Sequence, residues 1–112
     1  EETGVNNNIV NVPLPAGTDS LLFKKSYEDI IIPNLKRFSP DIIFISAGFD
    51  AHVDDPLADF RLTKDDFYWI TKVLNNFATK HCKGKLISCL EGGYNIKALS
   101  ESCLEHVKGL IL

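Results

Sequence analysis

Two side chains follow glycine-containing turns, where they could take part in chemistry. Asp50 comes after the apolar run Ile42–Ile45 and a glycine that lets the backbone turn, so its carboxylate could bind a metal ion or accept a proton. Tyr94 follows Gly92 and Gly93, which let the backbone pass close to a ligand. Its hydroxyl could donate to an oxyanion that develops on a substrate. The alternatives are structural: a carboxylate that caps a loop or helix, and a ring packed over the end of a strand.

The order of the predicted elements brings these two residues together. Three apolar runs predict strands: Ile9–Val12, Ile42–Ile45 and Leu86–Leu90. They alternate with segments of helical periodicity, which predicts an α/β fold with a parallel sheet and helices packed on it. The second run is continuously apolar, as is typical of a strand buried on both faces. Because α/β proteins bind ligands at the carboxyl edge of such sheets, we expect Asp50 and Tyr94 at one edge, beside the loop Asp54–Phe60.

Three segments have the apolar spacing of helices. Asp19 or Ser20 can cap the first, which reaches Phe38 and should kink or break near Pro33. Thr63 caps the second, and Gly84 ends it. The third is expected to bury seven residues: Ile96, Leu99, Cys103, Leu104, Val107, Leu110 and Ile111.

The histidines and the acidic pair allow functional and structural interpretations. His52 lies two residues after the candidate carboxylate and could complete an Asp-x-His metal pair, although an exposed loop histidine is the commoner outcome. His81 and His106 are interpreted as structural, because a cation near the end of a helix interacts favourably with its dipole. The pair Asp54–Asp55 is interpreted as a solvated turn.

Composition excludes several classes of function. The 112 residues allow one domain, are 45% hydrophobic and carry a net charge of −3 with scattered Lys and Arg, which disfavours nucleic-acid binding. The longest purely apolar run, Ile30–Ile32, is far too short to span a membrane. No secretion signal opens the chain, and its three cysteines form no CxxC pair, so we expect free thiols in an intracellular protein, cytoplasmic or nuclear. Cys89, in mid-strand, is interpreted as a small buried hydrophobe.

Two motifs together resemble a known family. The segment from Pro40 to Leu57 reads PDIIFISAGFDAHVDDPL, and the segment from Leu90 to Asn95 reads LEGGYN. In this order and spacing they look like the carboxyl-terminal part of the histone deacetylase and acetylpolyamine amidohydrolase superfamily. The forms SAGFD and EGGY, with NVPLPAG from Asn11 to Gly17, look more like the class II and bacterial branch than class I.

The resemblance implies a fold, a reaction and roles for single residues. The fold would be the three-layer αβα architecture of arginases and deacetylases, of which residues 1–112 would form one incomplete domain. The reaction would be hydrolysis of the amide of acetyl-lysine or of an acetylated polyamine at a zinc ion held by two Asp and one His. Asp50 matches the Asp ligand after Ala-Gly-Phe, and Tyr94 matches the catalytic Tyr. Leu57, Gly92 and Gly93 match walls of the narrow acyl-lysine tunnel, whereas His52 matches no ligand of the family.

The sequence also departs from the family pattern. The family's other zinc ligands, an Asp-x-His pair after an earlier strand, and the adjacent His-His pair that handles proton transfer lie upstream of the matched region and have no counterpart in these residues. We therefore expect a carboxyl-terminal fragment that is inactive alone, lacks the amino-terminal half of its domain, and self-associates through an open strand edge and an uncovered sheet face.

Two other classes of protein are considered. The chain could be a non-catalytic binding or assembly module that keeps the deacetylase fold. A signalling receiver domain, with Asp50 as the phospho-acceptor and Lys85 nearby, is disfavoured because no acidic pair follows Ile9–Val12.

Overall fold

The centre of the molecule is a pair of parallel strands. The structure, a computed structural model, describes residues 2–111. Strand β1 (Ile43–Ala47) pairs with β2 (Leu86–Leu90) in a register that sets Ile43 opposite Leu86 and Ala47 opposite Leu90. The long helix between the two strands provides the crossover that a parallel connection requires. The predicted parallel pair is confirmed.

The first helical segment is continuous but irregular. Helix α1 (Ser20–Ser26) begins at Asp19, whose carboxylate accepts from the backbone N–H of Leu22 at 3.1 Å. A π-helical segment, Tyr27–Ile31, leads directly into α2 (Ile32–Phe38), which has Pro33 in its first turn. The irregularity near Pro33 is confirmed as one wide turn rather than a break. A proline can begin α2 because it lacks only an N–H that the first turn does not need.

Helix α3 (Lys64–His81) has the ends that the sequence predicts. Thr63 and Asp66 form a reciprocal capping box, in which the Asp66 carboxylate accepts from the backbone N–H of Thr63 at 2.9 Å. The same carboxylate accepts from the hydroxyl of Ser20 at 2.6 Å and so joins the starts of α1 and α3. At the other end Gly84 has a φ of +75°, and its N–H donates to the carbonyl of Ala78 at 2.9 Å.

One face of the sheet is covered and the other is open. Ile43 and Ala47 are buried in two apolar clusters that also contain Phe77 and Phe67 of α3. Phe44, which points to the opposite face, is 67% exposed. The prediction that this strand is buried on both faces is therefore wrong for the described residues, since their helices cover only one side. Cys89 lies on the open side and is exposed, so its predicted burial is also wrong.

Helix α4 (Ile96–Ile111) packs against α3 through a different face from the predicted one. Its buried residues are the small or polar ones: Ala98, Ser102, His106 and Gly109. A Cβ on Gly109 would lie 2.8 Å from Cβ of Thr71, so glycine allows the two helices to approach closely. Leu99 and Cys103 are partly buried against the second apolar cluster, as predicted. Leu110 is half-buried, whereas the predicted burial of the remaining four residues is wrong, because they are exposed: Ile96, Leu104, Val107 and Ile111.

The segment Ile9–Val12 is not a strand, which corrects the first strand prediction. Its residues belong to no helix or strand, and Ile9 donates its N–H to the carbonyl of Thr3 at 2.9 Å rather than to a strand of the sheet. Ile9 and Val10 are exposed, so a strand-like sequence has no neighbour here with which to form a ladder. Within residues 2–111, no helix combines the length and the apolar character needed to cross a membrane.

Candidate functional site

The loops that follow β1 and β2 meet at the carboxyl edge of the sheet. The N–H of Glu91 donates to the carbonyl of Ala47 at 2.9 Å, and the N–H of Phe49 donates to the carbonyl of Gly92 at 2.8 Å. These bonds extend the pairing of the two strands by a few residues beyond their ends. Asp50, which follows Phe49, and Gly93, which follows Gly92, are therefore each held close to the other loop.

Asp50 and Tyr94 converge on Gly92, as the strand order predicts. A Cβ on Gly92 would lie 3.3 Å from Oδ2 of Asp50 and 3.3 Å from the hydroxyl of Tyr94. The carboxylate oxygen and the hydroxyl oxygen each lie 3.3 Å from this Cβ position, so the two oxygens are separated by at most twice that distance. A Cβ on Gly48 would lie 3.0 Å from Oδ1 of Asp50, so two glycines leave the space around the carboxylate free. Gly93, at a φ of +149°, has a backbone conformation that favours glycine.

The loop Asp54–Phe60 lies beside this pair, which is also as predicted. The backbone N–H of Tyr94 donates to the carboxylate of Asp55 at 2.8 Å. Leu57, in the same loop, is 69% exposed, and Tyr94 is 55% exposed. The site is therefore an open edge: the phenol and the leucine project from loops whose backbones are held by hydrogen bonds.

Asp55 is a residue that the sequence interpretation missed. The sequence predicts a solvated turn here, but Asp55 is only 7% exposed and accepts hydrogen bonds from backbone N–H groups of both loops of the site. Burial by itself raises the pKa of this carboxyl, and the N–H groups of Leu57, Tyr94 and Asn95 more than offset that effect, so the pKa lies below its ordinary value. The sequence signal was weak, because an Asp before Pro is common in turns.

His52 is buried rather than exposed, which corrects the loop interpretation. It forms an isolated bridge with Leu62, and its Nδ1 accepts from the backbone N–H of Asp54 at 3.0 Å. A ring nitrogen that accepts this bond organises the loop. In the part of the chain that the structure describes, no three His, Cys, Asp or Glu side chains form a group that could hold a metal ion.

His106 is structural, but for a different reason from the predicted one. It is buried, with Nδ1 2.6 Å from the hydroxyl of Thr71 and Nε2 2.7 Å from the hydroxyl of Ser88. Desolvation lowers the pKa of the imidazole below its usual range. It therefore joins α3, β2 and α4 as a neutral group, not as a cation at the end of a helix.

Asp50 meets the requirements of one ligand in a zinc site, and of one only. An anionic oxygen suits zinc, and the glycines on two sides of the carboxylate leave room for an ion. A catalytic zinc site uses three protein ligands, and residues 2–111 bring no such set together. Any further ligands have to come from outside these residues.

Comparison with known proteins identifies the family. The model of the histone deacetylase domain matches residues 1–110. The chain belongs to the histone deacetylase family. It is 43% identical over 107 residues to type-2 histone deacetylase 2 of Dictyostelium discoideum, covering 93% of this chain and 6% of that protein. It is 41% identical over 102 residues to the chloroplastic histone deacetylase 14 of Arabidopsis thaliana, covering 91% of this chain and 24% of that protein.

Solved structures of the family support the predicted fold. The crystal structure of the HD domain of HDA15 matches with a TM-score of 0.79 and 33% identity, over 87% of this chain and 26% of that one. The predicted deacetylase-like α/β fold, present here as a partial domain, is confirmed. The chain spans about a quarter or less of the length of these histone deacetylases.

Proposed function

We propose that this chain supplies part of the active site of a zinc-dependent deacetylase, which hydrolyses the amide of an acetylated lysine or polyamine. The observation that carries the proposal is the convergence of Asp50 and Tyr94 on Gly92, in a chain that belongs to the histone deacetylase family. An anionic metal ligand beside a phenol donor is the combination that amide hydrolysis at a metal needs.

Asp50 would hold zinc together with ligands from the rest of the domain. The chemistry that zinc supplies when bound is polarisation of the amide carbonyl and activation of a water molecule. The hydroxyl of Tyr94 would donate to the carbonyl oxygen, and this bond strengthens as negative charge develops there. In this chain the phenol is supported by a backbone that is hydrogen-bonded to a buried carboxylate, which limits its movement.

Leu57, Gly92 and Gly93 would form walls of the tunnel that admits the acyl-lysine side chain. Gly92 leaves open the point between the carboxylate and the phenol that any larger residue would fill. The exposed Leu57 offers an apolar surface to the methylenes of the substrate.

The remaining part of the deacetylase domain would be the main partner of this chain. The open sheet face around Phe44, together with the outward side of α4, offers large apolar side chains for it to cover. With a single metal ligand of the set, the chain alone would be inactive. That same observation favours one alternative, a non-catalytic module that keeps the fold. An upstream Asp-x-His pair and His-His pair in the full-length protein would exclude the alternative.

Two substitutions in the full-length protein test the assigned roles. Tyr94→Phe keeps the ring and removes one oxyanion donor, so kcat should fall about 100- to 1000-fold, roughly 3–4 kcal/mol, with zinc content unchanged. Asp50→Asn replaces an anionic ligand with a neutral amide, so zinc content should fall together with activity. Metal analysis and steady-state kinetics on an acetyl-lysine peptide separate the two effects. Nearly full turnover in Tyr94→Phe would refute the assignment of Tyr94.

A further inference from the structure

A single buried carboxylate joins the two loops of the site. Oδ1 of Asp55 accepts from the backbone N–H of Leu57 at 2.9 Å. Oδ2 accepts from the backbone N–H of Tyr94 at 2.8 Å and from that of Asn95 at 3.3 Å. Each oxygen therefore serves a different loop, and the positions of the leucine and tyrosine backbones are fixed relative to each other.

The carboxylate is itself rigidly held. The N–H of Asp55 donates to the carbonyl of the buried His52 at 3.0 Å. The preceding residues are tied to the start of α3: Val53 donates to the carbonyl of Leu62 at 2.8 Å, and Leu62 donates to that of Ala51 at 3.1 Å. Leu62 is fully buried. The link therefore rests on the core of the molecule rather than on a flexible loop.

The other side of Tyr94 is anchored as well. Oδ1 of Asn95 accepts from the backbone N–H of Ala98 at 2.9 Å and caps the first turn of α4. Tyr94 thus lies between the Asp55 carboxylate and a helix start, while the residue remains 55% exposed. Such an arrangement fixes the backbone from which the phenol projects and leaves the hydroxyl free for a ligand.

We propose that Asp55 is a positioning residue, which sets the hydroxyl of Tyr94 against the Asp50 carboxylate and holds the Leu57 wall in the same register. This inference rests on the proposed function. Asp55 touches neither substrate nor metal in this account and acts through the tyrosine. A neutral amide cannot replace it, because one of the two oxygens would become an NH₂ group facing a backbone N–H.

The experiment is a double-mutant cycle in the full-length protein, with Asp54→Asn as the matched control. Asp54 is the neighbouring carboxylate, but its side chain is 69% exposed, with Oδ2 3.9 Å from Nδ1 of His52. We measure kcat and KM on an acetyl-lysine peptide, and bound zinc, for Asp55→Asn with and without Tyr94→Phe. Asp55→Asn should lower kcat about 10- to 100-fold with zinc content unchanged, since small misplacements of a reacting group have effects of this size. The control should stay within about twofold.

The cycle separates a positioning role from a general structural one. In the Tyr94→Phe background the hydroxyl is absent, so Asp55→Asn should lower kcat by less than about threefold. Independent, multiplicative losses would overturn the positioning role while leaving the proposed function intact. Full turnover in Tyr94→Phe alone would instead refute the role that the proposed function assigns to Tyr94. If Asp55→Asn is insoluble, Asp55→Ser, which keeps one acceptor oxygen, enters the same cycle. Insolubility of both variants would assign Asp55 to folding and overturn the proposal.

Discussion

The hydrogen-bonded group around His106 gives a stability prediction that can be worked from the structure. The hydroxyl of Thr71 lies 2.6 Å from the carbonyl of Phe67 and 2.6 Å from Nδ1 of His106. We assign its single proton to the carbonyl, so that Nδ1 carries the ring proton and donates to Thr71. Nε2 then accepts from the hydroxyl of Ser88 at 2.7 Å.

Thr71→Val keeps the shape of the side chain and removes its hydroxyl. The buried Nδ1–H then has no acceptor, and leaving such a donor unpaired costs about 1–3 kcal/mol. The added methyl group recovers up to about 0.8 kcal/mol of apolar burial. Taking the middle of that cost, about 2 kcal/mol, and the full apolar gain, we expect the free energy of unfolding to fall by about 1.2 kcal/mol. Ser88→Ala should cost about 0.5–1 kcal/mol, because the Ser88–His106 hydrogen bond is part-buried, whereas the Thr71–His106 bond is buried.

Urea unfolding of the purified full-length protein measures both variants, provided that the transition of this domain is resolved. The midpoint should shift in each, with the larger shift in Thr71→Val and an unchanged slope. Equal shifts in the two variants, or none in Thr71→Val, would refute the reasoning, because the buried ring nitrogen would then have another acceptor.

The same group predicts a pH dependence. Burial lowers the pKa of His106 in the folded protein below its usual 6.5. Below about pH 6.5 the unfolded chain binds a proton that the folded chain does not. The stabilisation is therefore complete above pH 6.5 and is lost as the pH falls towards the folded pKa. His106→Gln should reduce the slope of stability between pH 7 and pH 5, measured by urea unfolding at several pH values. A slope that His106→Gln leaves unchanged or makes steeper would contradict a neutral His106 in the folded protein.

Three further predictions concern packing, metal binding and association. Gly109→Ala should destabilise the protein by about 1 kcal/mol in thermal unfolding, because the new Cβ would lie 2.8 Å from Thr71 and 3.2 Å from the carbonyl oxygen of Tyr68. The cost of this overpacking exceeds the gain in helix propensity. An unchanged melting temperature would contradict the close approach of the two helices. The 112-residue chain alone should bind zinc weakly in calorimetric titration, whereas submicromolar, stoichiometric binding that Asp50→Ala abolishes would show that it completes a site by itself. The chain alone should also self-associate through the open face around Phe44, and a monomer at high concentration in sedimentation would contradict this.

Local signals in the sequence predicted the elements that position the site. The cap at Asp19 and the capping box at Thr63 depend on neighbours three residues away, so they can be identified without tertiary information. The parallel order of β1 and β2 then brings Asp50 and Tyr94 to one edge, because strand direction alone decides which ends meet.

Long-range contacts decided what the sequence could not predict. The structural roles of Asp55 and His106 depend on partners 39 and 35 residues away, so the sequence around each shows only an ordinary turn and an ordinary helix. Helix α4 contacts α3 through its small and polar face rather than its more apolar one, and Gly109 permits a closer approach to α3 than leucine would. The segment Ile9–Val12 has a strand-like sequence but no neighbour to pair with among the described residues.

Asp50 is proposed above as a ligand of the zinc ion in a deacetylase. The most direct test is hydrolysis of an acetyl-lysine peptide by the full-length protein, with bound zinc quantified, after chelation and after zinc is restored. Chelation should abolish turnover, zinc should restore it in the wild type, and Asp50→Ala should have neither the metal nor the activity under the same conditions. Wild-type zinc content and turnover in Asp50→Ala would contradict the assignment of Asp50.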